Sequence, residues 1–170
     1  GEGAGQGYSV NVPLEPYTED PVYHEAFEAV VPPLVGAFKP DVVVAQLGID
    51  SHHTDPLTHL SLSVQGFART VARIVELSPR LVALGGGGYD LTNVARAWTA
   101  AWAVMNGREL PAELPPAFAP DMRRFDFQSP SLWDPPSEIP AAIRGRAQEF
   151  ARRQVDAVRR SIFPVHGLVG

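Results

Sequence analysis

Between Gly48 and Leu60 the sequence gathers two carboxylates and three imidazoles, Asp50, His52, His53, Asp55 and His59. Side chains of these types bind zinc, move protons and cap turns, so the spacing decides among those jobs. His52, His53, Asp55 and His59 sit close enough in sequence to be weighed together as metal ligands. Adjacent histidines on an extended loop point in different directions, however, and a loop histidine is more often solvated than ligating. Asp50 and Asp55 have a second reading as turn formers whose carboxylates bond nearby backbone. Further along, Gly85-Gly-Gly-Gly88 precedes Tyr89. It lacks both the Gly-Lys-Ser/Thr ending and the GxGxxG spacing of phosphate loops. Four glycines instead allow a backbone to pass very near a bound molecule, and Tyr89 is then a hydrogen-bond donor to a developing oxyanion or a core aromatic.

Both stretches follow apolar runs. Val42, Val43, Val44, Ala45 and Leu47 precede the acidic loop, and Leu81-Val-Ala-Leu84 precedes the glycines. Short, wholly apolar runs of this kind read as buried parallel strands, whose carboxyl ends are where open α/β sheets bind ligands. Helical spacing appears over Tyr23 to Phe38, in two pieces expected to meet near Pro32-Pro33. It recurs from Leu62 to Val75, from Asp90 or Thr92 to Met105, and from Ala141 to Ile162. Tyr8 to Val12 alternates as a short strand. Eight prolines between Pro111 and Pro140 suggest a strap over the surface. The expected architecture is α/β, a parallel sheet flanked by helices, with residues 1–110 as the main unit and 111–170 as a strap and terminal helix packed on it.

Composition narrows the function classes. The 170 residues are 45% hydrophobic and 19% charged, enough for a sizeable core, and contain no cysteine. Thiolate metal sites, disulfides and cysteine nucleophiles are therefore excluded. Residues 1–60 carry nine acids against one lysine, whereas all thirteen arginines fall in 61–170. The net charge of −5 does not suggest nucleic-acid binding. The arginines from Arg144 to Arg160 read as an exposed helix face or a contact for an acidic partner. No apolar run is long enough to span a bilayer, and a cytoplasmic location is expected.

Asp50-Ser-His-His-Thr-Asp55-Pro-Leu, Gly85-Gly-Gly-Gly-Tyr89 and Asn93-Val-Ala-Arg96-Ala-Trp98, with the Gly3 to Pro13 opening, resemble the histone deacetylase superfamily. The version of the first motif is most similar to that of bacterial acetoin-utilisation deacetylases. The resemblance implies an arginase-like α/β fold, of which this sequence corresponds to the carboxyl-terminal half, and zinc-dependent removal of acetyl groups from lysine side chains. It implies Asp55 as a zinc ligand, Tyr89 as the hydroxyl that polarises the acetyl carbonyl, and Leu62 and Gly87 as lining for the acyl-lysine tunnel. It also implies a monovalent cation, potassium, near Tyr8. The remaining zinc ligands and the general base would come from an amino-terminal half, the expected partner, without which the chain is expected to be inactive. A non-catalytic α/β binding or interaction module is the alternative.

Overall fold

In a computed structural model of the protein, residues 1–125, 127 and 129–169 are described. Two four-residue strands, β1 (Val43–Gln46) and β2 (Leu81–Leu84), pair in parallel, with Val43 opposite Leu81 and Gln46 opposite Leu84. The helices are α1 (Asp20–Phe38), α2 (Val64–Leu77), α3 (Leu91–Met105), the short α4 (Ala119–Arg123) and α5 (Ala141–Ser161). α2 crosses from β1 to β2, the connection that a parallel pair requires.

One face of the sheet packs on α2 and α3. Ala45, Leu47 and Ile49 meet Val64, Phe67, Ala68 and Val71 from α2 and Ala97, Ala100 and Ala101 from α3. The small alanines of α3 let its backbone approach the sheet closely. A second core lies between α1 and α5, where Val22, Ala26 and Val30 pack against Ala151, Val155 and Val158. The opposite face of the sheet is bare, with Val44 62% and Leu84 51% exposed and Val82 exposed beside them. Parallel sheets are ordinarily buried on both faces, so this apolar surface is unsatisfied in the isolated chain.

Two local expectations are corrected. α1 runs unbroken through Pro32 and Pro33 rather than forming two pieces. An interior proline costs about 3 kcal/mol in a helix. Burial of the Val22, Ala26 and Val30 face against α5 offsets it, at roughly 1.5–3 kcal/mol for each large apolar side chain. Residues 8–12 form no strand, because no neighbouring strand pairs with them among the described residues. Val10 and Val12 instead pack as extended chain on the α1/α5 core. The helices from Val64, Leu91 and Ala141 lie where their periodicity puts them. Among the described residues no helix is long and apolar enough to cross a membrane.

Candidate functional site

The carboxyl ends of β1 and β2 stay in register beyond the strands, since the Leu47 amide donates to Leu84 (2.8 Å) and the Ile49 amide to the Gly87 carbonyl (2.6 Å). This close approach explains the glycines. A Cβ on Gly86 would lie 2.8 Å from the Gly48 backbone, one on Gly87 would overlap the Asp50 carboxylate, and Gly88 has a φ of 152° against Ile49. The glycine run is thus the surface on which the Asp50 loop rests. Trp98 lies against Gly85 and donates from Nε1 to the Leu47 carbonyl at 2.9 Å.

The two acids of the loop have different surroundings. Asp55 accepts from the Leu57 amide (2.9 Å) and the Thr58 amide (3.3 Å) on Oδ1, and from the Tyr89 amide (2.9 Å) on Oδ2. It is buried, and it ties its own turn to the residue after the glycines. Asp50 lies over Gly87, and among the described residues nothing donates a hydrogen bond to its carboxylate. Its carbonyl accepts from the Thr58 hydroxyl, which sets the direction of the loop. Asp50 is thus the carboxylate without a donor among the described residues, while Asp55, with a single amide on Oδ2, keeps lone pairs for a further ligand.

Tyr89 is 53% exposed, so its ring does not cover the sheet end as a core aromatic. Leu62 is 3% exposed, and its backbone bridges the His52 segment. The exposed apolar side chain of the loop is Leu57, at 63%. Tyr8 lies on the edges of Phe38 and His166, with ring centroids 6.1 and 5.0 Å away.

The histidines part company as well. His52 is 1% exposed. Its Nδ1 accepts from the Thr54 amide at 3.2 Å, which leaves the proton on Nε2 to donate to Asp134 Oδ2 at 2.9 Å. His53 is exposed, with Nε2 3.9 Å from Asp134 Oδ1, and His59 is exposed as well. Asp134 also accepts from the Val64 amide at 2.7 Å and pairs with the buried Arg96, whose guanidinium lies 4.8 Å from the Phe127 ring centroid. Burial pushes the Asp134 carboxyl up. Hydrogen bonds from His52, the Val64 amide and Arg96, with the His53 ring nearby, pull it down further, so it rests well below the usual carboxylate range. Sequence reasoning passed over Asp134 and Arg96, and only the Arg96 motif carried a signal, since Asp134 is 82 residues from His52.

His52, His53 and Asp134 bring three candidate ligand atoms within 4.8 Å of one another. Zinc does not fit there, because both His52 nitrogens are engaged and Arg96 already neutralises Asp134. At the glycine loop the described residues offer at most the Asp50 and Asp55 carboxylates, and a catalytic zinc takes about three ligands from protein. The described residues do not make a complete zinc centre.

The model of the histone deacetylase domain matches residues 1–105. The acetoin utilization protein AcuC of Bacillus subtilis (strain 168) is 33% identical over 173 residues, covering 97% of this chain and 44% of the relative. AcuC of Staphylococcus aureus (strain MRSA252) is 41% identical over 105 residues, covering 58% of the chain and 27% of the relative. A crystal structure of an HDAC homolog complexed with SAHA superposes with a TM-score of 0.78 at 29% identity, over 93% of this chain and 44% of that one. The chain therefore spans less than half the length of these relatives, and its parallel sheet flanked by helices is the deacetylase-like α/β fold expected from the motifs. The matched segment contains both strands, the Asp50 to Leu62 loop and the glycine run with Tyr89, and on that ground the chain belongs to the histone deacetylase domain family.

Proposed function

We propose that this chain is the part of a deacetylase that supplies the carbonyl-polarising hydroxyl and one metal-facing carboxylate for hydrolysis of acetylated lysine side chains or small amines. The observation that carries the reading is the pairing of two strand ends, one leading into the buried Asp55 carboxylate and the next into the exposed Tyr89, whose amide that carboxylate accepts. Bound zinc would supply Lewis acidity toward the amide carbonyl. We assign Asp55, whose Oδ2 carries only the Tyr89 amide, to that metal, and Leu62 to the acyl chain. Gly87 stays at the site as the platform beneath Asp50. Tyr89 donates a hydrogen bond that strengthens as the carbonyl oxygen gains charge, and Asp55 fixes the backbone from which the ring projects.

The remaining ligands and the general base come, in this reading, from an amino-terminal half of the same domain, on the same polypeptide or another. The bare face at Val44, Val82 and Leu84 supports it, because a parallel sheet needs a cover on that side. The reading places the assembled protein in the cytoplasm. It includes a monovalent cation, potassium, near Tyr8.

The test is deacetylation of an acetyl-lysine peptide by the chain alone and by the chain assembled with such a half. Activity is expected only in the assembly, where Tyr89→Phe should lower kcat by roughly 10²–10³-fold with zinc content unchanged. Near-normal kcat in that variant would remove Tyr89 from the mechanism. An assembly that folds, holds zinc and hydrolyses nothing would favour the non-catalytic module.

A further inference from the structure

Asp134 lies in the proline-rich strap, beyond the residues 1–105 that the family model matches, yet its one carboxylate accepts from three separate elements. His52 comes from the site loop, the Val64 amide from the start of α2, and Arg96 from α3. Two routes lead on from His52 to Tyr89. By the first, the Asp55 amide donates to the His52 carbonyl at 3.0 Å, and the Asp55 carboxylate accepts from the Tyr89 amide at 2.9 Å. By the second, the Thr54 amide donates to His52 Nδ1 at 3.2 Å, and the Thr54 hydroxyl donates to Asp90, the residue after Tyr89 and the cap of α3.

We propose that Asp134 is the positioning residue of this site: acting from the strap through His52, it sets the Asp50–Asp55 loop and the backbone that presents Tyr89. Buried and paired with Arg96, it is held away from the exposed Tyr89 ring, so it positions rather than catalyses, and its importance to the reaction rests on the deacetylase reading. An asparagine has nearly the same shape but replaces one oxygen with a donor. It cannot accept from three elements at once.

Amide hydrogen exchange on the full 170-residue chain tests this without substrate or metal. In Asp134→Asn the amides of Asp55, Leu57 and Tyr89 should exchange about tenfold faster or more, the scale expected when a charged, buried hydrogen bond is lost. Amides of Val30 and Val155, in the α1/α5 core, should be unchanged. His52→Ala leaves Asp134 with Val64 and Arg96, and it should loosen the same loop amides while α2 and α3 stay protected. His52→Gln, whose amide nitrogen sits near the position of Nε2 and can donate to Asp134, should restore protection. Wild-type exchange at Asp55 and Tyr89 in both Asp134→Asn and His52→Ala overturns the proposal, and so does a glutamine variant as loose as the alanine one. If Asp134→Asn does not fold, the His52 pair decides alone. Failure here leaves the deacetylase reading standing, whereas a confirmed relay in an assembly that hydrolyses nothing sinks only that reading.

Discussion

A loop carboxylate can hold backbone, face a ligand or do both, and Asp55 and Asp50 differ in how much backbone they hold. Asp55 accepts three amides, so Asp55→Ala leaves donors unpaired and should cost roughly 1–3 kcal/mol in urea denaturation of the chain. Asp50→Ala removes no hydrogen bond to its carboxylate among the described residues and should stay within about 0.5 kcal/mol of wild type. In the zinc-loaded assembly Asp55→Ala should also lose the metal and Asp50→Ala should retain it better, as read by metal content. If Asp55→Ala keeps the zinc and Asp50→Ala loses it, the ligand is Asp50. The alternation of acids and histidines was legible as a loop, but which acid was free was not. That depends on which amides the turn aims inward, and one of them, the amide of Tyr89, comes from the other strand end.

At the scale of elements, α3 shows how a helix start serves the site. Asp90 accepts from the Thr92 amide at 2.9 Å and the Asn93 amide at 3.4 Å, and also from Thr54 in the opposing loop. Burial raises the Asp90 carboxyl, but the Thr54 and Thr92 bonds outweigh it and hold the carboxyl below its ordinary value. Asp90→Ala should therefore destabilise the chain by about 1–2 kcal/mol, a full cap, on a thermal melt. It should also speed exchange of the Thr54 amide, which Asp90→Ser, retaining the cap but not the reach to Thr54, would do with a smaller loss of stability. Equal stability in Asp90→Ala and wild type would mean that the cap is replaced by water. The Asp90 cap and the helix stripes were readable because they are local. The unbroken course of α1 through Pro32-Pro33 was not, since the packing of Val22, Ala26 and Val30 on α5 is what outweighs the prolines.

For the whole molecule, two features set behaviour in solution, the uncovered sheet face and the buried carboxylates that hold separate segments together. Val82→Glu lies on the bare face and should leave the melting of the chain nearly unchanged while abolishing assembly with the covering half, as read by size-exclusion chromatography. Undiminished assembly would show that the cover lies elsewhere. Asp134 joins the strap to the site loop, α2 and α3, and Glu19 joins the entry to α1 with α5 through Arg144. For Glu19 the Arg144 hydrogen bond dominates and lowers the carboxyl despite burial. Both carboxyls have folded values below their ordinary 3.8 and 4.5, so the unfolded chain takes up their protons first as pH falls. Their contribution is complete above those ordinary values and is lost below them, and Asp134→Asn should flatten the acid limb of a urea-midpoint titration. An unchanged slope would mean that Asp134 is not ionised in the folded chain. The amino-acid sequence by itself determined the strand ends, the helix stripes, the caps and the family, because each is written in neighbouring residues through periodicity or a short motif. Only the tertiary structure decided that Asp50 is the unengaged acid, that Leu62 turns inward and Leu57 outward, and that Asp134 reaches His52 across 82 residues. Irregular backbone has no period from which side-chain direction can be read, and its direction is set by hydrogen bonds whose partners lie on other elements.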